Sequence, residues 1–376
     1  MNTNFPAFPP ELLQGCRNAL IDYMKIAPGN QVVILNELGS AVDPFVVHCL
    51  ATVTQEIGAE PHILWTSKLA KGWWQELSPV VRAAIGYADV VVQNISSIGK
   101  THMLDLMLEK KVRRFRNYAS DFATMTSDWA RFPVEVQDYL ERKVNTMLIE
   151  AKTYRVVSDD GTDISGEIPS RLAAWRRDLK RSGGMNVSFP PSVFRASESE
   201  NANGVMLIYS TYPWGARRVG LPEIRFQNPV KLVVENNYVV HVEGGWEADL
   251  YRKLFEEQAD RIGRRSYYVD SWHSGASPRA FVPFDPRVDP DRFDHLAHNH
   301  ECWFHFHLGG LSQKEGSKSQ VVDHINAVCM NPTVYLAGQK VWDKGHLTAW
   351  NDPELRQIAS KYGDPDVLFA SRPIWD

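Results

Sequence analysis

Cysteine is scarce in this chain, with four in 376 residues. Cys16, Cys49, Cys302 and Cys329 lie far apart and form no C-x-x-C pair. That pattern excludes a zinc ribbon and a disulfide framework, and it suits a reducing compartment. Long apolar runs are missing too. No stretch approaches the ~18 apolar residues of a membrane helix. The opening MNTNFPAFPPELL has neither the basic start nor the apolar core of a secretory signal. A cytoplasmic protein that does not engage a membrane is therefore expected. Basic excess is absent as well: 41 Lys plus Arg against 45 Asp plus Glu leaves −4, which argues against a nucleic-acid partner. There is no Walker A sequence, no G-x-G-x-x-G after the first strand, no G-x-S-x-G and no H-E-x-x-H. Phosphate-loop nucleotide binding and the usual serine hydrolase and zincin chemistries go with them.

What is present reads as two domains. A composition of 44% apolar and 23% charged residues belongs to a globular chain, and its length is about twice the usual ~150-residue domain. Through residue 150, short apolar runs (QVVILNE at 31–37, PHILWT at 61–66, DVVVQNI at 89–95, VRRFRNYA at 112–119) alternate with helical stretches. Runs apolar on both faces between helices indicate a parallel sheet covered on both sides. A helix over 134–151 would close this unit. Beyond 152, TYRVVSDDGTDISGEI reads as a hairpin turning at Asp160–Gly161, and 205–245 holds further strand runs. WEADLYRKLFEEQADRIG (246–263) is an amphipathic helix with Leu250, Leu254, Phe255 and Ile262 on one stripe. The expected fold is α/β: an N-terminal parallel-sheet domain over 1–155 and a C-terminal mixed α+β domain over 156–376.

Histidine is unevenly spread. Seven of twelve fall between 273 and 324, and five of those lie in HLAHNHECWFHFHLGG. Imidazole is the commonest nitrogen ligand of transition metals, because its neutral form offers a lone pair. Three segments could converge on one ion: DSWHSGASP, WFHFHLGG and VVDHINAV. Strand period puts His305 and His307 on one face of WFHFHLG, and His324 with Asn326 on one face of DHINA. The alternative for His305 and His307 is the polar face of a surface strand. His295, His298 and His300 sit in a charged, loop-like segment, and His48, His62, His241 and His346 read as scaffold. His102 follows the DVVVQNI strand by a short loop, where ligands of open α/β sheets collect. Twelve tryptophans fit either core packing or the walls of a pocket for a flat substrate.

The order of these motifs resembles the aminopeptidase T-like metallo-aminopeptidases and their oxygenase relatives, the 2,5-dihydroxypyridine 5,6-dioxygenases. The matching pieces include QVVILNE, Gly161-Thr162-Asp163, Asn186 to Phe194, HVEGGWEADL, HFHLGG and HINAVCMNPTVYLAGQKVWDKGHL. The resemblance implies a C-terminal metal site and a homodimer. In FPPSVF, Ser192 stands where the aminopeptidases carry a bridging glutamate, and a hydroxyl does not bridge two dications as a carboxylate does. His324-Ile325-Asn326 stands where both families have H-x-D. The oxygenase branch implies one metal ion, with His273 and His324 as ligands and Asn326 or His305 completing the set. His307 or His102 would accept the substrate's phenolic proton.

The leading expectation is a mononuclear Fe(II) ring-cleaving dioxygenase acting with O2 on a hydroxylated aromatic or N-heteroaromatic compound. Zn, Mn, Co and Ni stay open as the metal. The alternative is a metal-dependent hydrolase or aminopeptidase with Glu243, Glu247 or Asp270 as base. A non-catalytic relative that binds an aromatic ligand is the third reading.

Overall fold

The computed structural model describes residues 7–67, 77–94, 106–107, 109–169, 186–190, 194, 196–211, 225–309 and 325–374. The chain divides into two compact units, Met1–Val134 with Ser182–Pro190, and Glu135–Arg181 with Pro191–Asp376.

The first unit is built on a parallel sheet in the order β2-β1-β3-β4-β7. Its strands are Gln31–Leu38 (β1), Glu60–Ser67 (β2), Val90–Asn94 (β3), Arg113–Asn117 (β4) and Asn186–Phe189 (β7 in chain order). The unbroken apolar runs explain the layering. Val32, Ile34, Val90 and Val92 enter one cluster with residues of the helices Pro10–Arg17 (α1) and Pro44–Glu56 (α2). Val33, Leu35 and Val91 enter another with the helix Pro79–Tyr87 (α3). Two of these helices start on a polar cap followed by proline: the Asp43 side chain accepts from Phe45 N, and Ser78 accepts from Val81 N. Proline costs nothing at the first helical position, where its missing N–H has no partner anyway. At the strand ends the sheet turns polar. Asn94 Nδ2 donates to Asn36 Oδ1 at 2.7 Å and Asn117 Nδ2 to Asn94 Oδ1 at 2.8 Å, so three buried amides satisfy one another across β1, β3 and β4.

The second unit is dominated by an antiparallel sheet. Along it run Thr153–Val157 (β5), Asp163–Glu167 (β6), Glu200–Ser210 (β9), Ile325–Met330 (β14), Trp303–Leu308 (β13), Val269–Ser274 (β12) and Ser197–Glu198 (β8). Thr333–Leu336 (β15), Gln339–Asp343 (β16) and His346–Leu347 (β17) extend the β5 side, while Arg225–Glu235 (β10) pairs with β9 and with Tyr238–Glu243 (β11). The Asp160–Gly161 hairpin forms between β5 and β6. Gly204, at φ +139°, lets β9 pass β6: a side chain there would meet the Asp163 carbonyl at 2.1 Å. The helix Trp246–Ile262 (α5) buries Tyr251, Leu254 and Phe255, with Leu250 and Ile262 at the margin of that stripe.

The sequence pattern attaches the helix Val134–Glu150 (α4) to the first unit; the structure attaches it to the second. Its polar side chains meet the C-terminal segment of that unit. Tyr139 donates to Asp352 at 3.1 Å and to Glu354 at 3.0 Å, Lys143 pairs with Asp352, and Glu135 pairs with Lys361. These are partners more than 200 residues away, which helical periodicity does not encode. No helix among the described residues is long and apolar enough to cross a membrane.

Candidate metal centre

The strands β12, β13 and β14 lie side by side, and their register decides which side chains share a face. His273 stands opposite His305, Ser271 opposite His307, and His307 opposite Asn326. Directly paired residues of antiparallel strands project on the same side. One face therefore carries Ser271 and His273 from β12, Trp303, His305 and His307 from β13, and Asn326 from β14. The opposite face carries Trp272 and Phe304, whose rings stack at 5.2 Å, together with Phe306.

On the first face the imidazoles of His273, His305 and His307 converge. Ring centroids are 3.9 Å apart for His273–His305, 4.8 Å for His273–His307 and 5.2 Å for His305–His307. One nitrogen from each lies within 4.8 Å of the others, a spacing that suits three donors to one ion. His305 is 3% and His307 7% exposed, so β13 is no surface strand. Ser271 Oγ is hydrogen-bonded to His307 Nδ1 at 2.9 Å. Asn326 Oδ1 is buried and has no hydrogen-bond partner among the described residues. An orphaned buried acceptor costs about 1–3 kcal/mol. A cation at this face would relieve that cost, and three imidazoles with an amide oxygen are a chemically competent donor set.

The helix Pro290–Ala297 (α6) packs over this face. Phe293 sits against Trp303 at 6.2 Å, and the His298 ring lies 6.0 Å from that of His305. The sequence reading leaves 295–300 as loop because the segment is heavily charged. Asp291, Arg292, Asp294 and His295 are nonetheless buried in a helix. The overlooked signal is Asp289-Pro290, the same cap-plus-proline start seen in α2 and α3: Asp289 accepts from Arg292 N at 3.1 Å.

Other candidates are engaged elsewhere. His300 accepts from Cys302 N at 3.1 Å and donates to the Arg372 carbonyl at 2.7 Å, and burial pushes its pKa below the usual imidazole range. Glu243 is paired with Lys231 at 2.9 Å, Asp270 with Arg265 at 2.7 Å, and Glu247 accepts from the Asn228 backbone at 3.1 Å. Trp129, Trp272, Trp303, Trp342 and Trp350 are core residues, as the packing reading expects. His102, His324, Ser192, Gly310, Trp73, Trp74 and Trp214 lie outside the described residues.

His346 donates from Nδ1 to the buried Glu301 at 2.7 Å, a bond that raises its pKa. A raised folded-state pKa adds stability that is full below the unfolded value near ~6.5 and fades as pH climbs through the folded one. Thermal melts of wild type and His346→Gln are expected to diverge most in mild acid and to converge at alkaline pH. Parallel curves would contradict this.

The family model for 2,5-dihydroxypyridine 5,6-dioxygenase matches residues 129–349, well over half of the chain and the whole histidine-bearing sheet. The chain belongs to the 2,5-dihydroxypyridine 5,6-dioxygenase family. It is accordingly an enzyme of dioxygenase type. Among solved structures, 2,5-dihydroxypyridine dioxygenase from Pseudomonas putida KT2440 superposes with a TM-score of 0.64 at 16% identity, covering 93% of this chain and 99% of that one. Wild-type AmpT from Thermus thermophilus superposes with a TM-score of 0.54 at 10% identity, covering 91% and 100%. Identities this low speak for the fold alone, which the dioxygenase family here shares with AmpT. No curated protein matches the chain.

Proposed function

We propose that this enzyme opens the ring of a dihydroxylated N-heteroaromatic compound of the 2,5-dihydroxypyridine type with O2, using one Fe(II) held by His273, His305 and His307. The observation that carries the reading is the convergence of these three imidazoles on one buried sheet face, within the segment that matches the family. When bound, Fe(II) would supply the one-electron chemistry that lets triplet O2 react with a closed-shell ring. The chain's own residues do the rest. His305 and His307 come from one strand and His273 from its neighbour, so hydrogen-bonded backbone sets the spacing of the donors before any ligand arrives. Asn326, with its unpartnered amide oxygen on the same face, is proposed as a further donor, in company with His324 beside it in sequence.

The donors described are neutral, where H-x-D would bring a carboxylate. A site of neutral donors keeps the ion's full positive charge and favours a substrate whose ring hydroxyl binds as an oxyanion. Phe293 and Trp303 are buried against each other beside this face, and a dry surround strengthens such charge interactions. The Ser271 bond supports a metal-holding role for His307 rather than that of proton acceptor. A homodimer is proposed on the resemblance, and a cytoplasmic location on the scattered cysteines.

The test is oxygen uptake. Anaerobically purified protein loaded with Fe(II) is expected to consume equimolar O2 with 2,5-dihydroxypyridine, and Zn(II)-loaded protein none. Failure to consume O2 across a panel of dihydroxypyridines and catechols would overturn the reading.

A further inference from the structure

We propose that Ser271 is a positioning residue for the metal site: its hydroxyl oxygen accepts the Nδ1 proton of His307 and so commits that ring to bind through Nε2. The inference rests on the reading of His273, His305 and His307 as metal ligands. Ser271 is 1% exposed and sits in β12 directly opposite His307, with Oγ 2.9 Å from Nδ1.

Hydrogen-bond bookkeeping fixes the direction. An imidazole that ligates a metal gives up the lone pair of one nitrogen and carries its proton on the other. His307 has Nδ1 in contact with Ser271, so a metal bound by this ring is bound by Nε2. Nδ1 then bears the hydrogen, and the serine oxygen is the acceptor. Among the described residues, the hydrogen bond of the Ser271 hydroxyl runs to His307.

The placement argues for function over filling. A buried hydroxyl is costly unless it is hydrogen-bonded, and valine, a strand-favouring residue, would fill a fully covered strand position with no such requirement. Ser271 shares the face of His273 two residues on, so one short strand supplies both a ligand and the clamp on another ligand. Metal-binding histidines usually present their second nitrogen to a carboxylate, carbonyl or water, and loss of such a partner typically weakens metal binding about 10–100-fold.

The experiment uses the full-length chain with Co(II) as the probe, followed by its visible absorption and by competition with a chelator. Ser271→Ala is expected to weaken Co(II) binding by about 10–100-fold, and Ser271→Thr, which keeps the hydroxyl, to stay within a few-fold of wild type. A long-range 1H–15N histidine spectrum of the metal-free protein provides a second readout. His307 is expected as the Nδ1–H tautomer in wild type, with that preference reduced in Ser271→Ala. Unchanged Co(II) affinity in Ser271→Ala, or an unprotonated Nδ1 in wild type, overturns the role of Ser271 alone. Absence of Co(II) binding by the wild type overturns the histidine reading and this inference together.

Discussion

His273→Ala is expected to leave a folded protein that neither retains Fe(II) nor consumes O2. His273 is the one member of the cluster supplied by β12, and its ring is the nearest neighbour of both others, at 3.9 and 4.8 Å. Without it, two imidazoles on a single strand remain. Affinity should fall by more than the ~100-fold at which loss of a mere hydrogen-bond partner tops out. That corresponds to at least about 2.8 kcal/mol of binding free energy. The strand itself survives, because its packing depends on Trp272 and the aromatic face behind, not on the histidine. Iron per chain after anaerobic loading, with a far-ultraviolet spectrum to confirm folding, checks this. Wild-type iron content in the variant would show that these rings do not hold the metal.

Glu301→Ala is expected to produce the largest loss of stability. Glu301 is 1% exposed, and its two oxygens accept from His346 Nδ1 at 2.7 Å, Leu347 N at 2.9 Å and Trp350 Nε1 at 2.7 Å. One carboxylate thus ties β17 and the turn after it to the start of the histidine strand. Truncation strands two buried N–H donors, each worth about 1–3 kcal/mol, and leaves a void. The two donors together come to about 2–6 kcal/mol, which brackets the about 3–5 kcal/mol found when one partner of a buried ion pair is removed. For a unit of this size the melting temperature should drop on the order of 10 °C. Glu301→Gln retains one acceptor oxygen and should fall in between. A shift of the alanine variant under about 2 °C would contradict the account.

Much of the architecture was legible because it depends on local periodicity. QVVIL and DVVV are apolar at consecutive positions, and only a strand covered on both faces can bury every one of them. Asp160–Gly161 supplies the turn chemistry a hairpin needs. The charged segment 289–298 misleads for the opposite reason. Its charged residues are buried in a helix, and the true signal was a two-residue cap, Asp289-Pro290.

For the site, the chain by itself determined that His305 and His307 share a face, because alternation along a strand is a property of the backbone alone. It also determined the concentration of imidazoles in the last third of the molecule. Only the tertiary structure decided that His273 stands opposite His305, and Ser271 and Asn326 opposite His307. Register between strands separated by tens of residues depends on which pairing buries both faces of the finished sheet. A slip of one residue would turn His273 to the far side and Trp272 into its place.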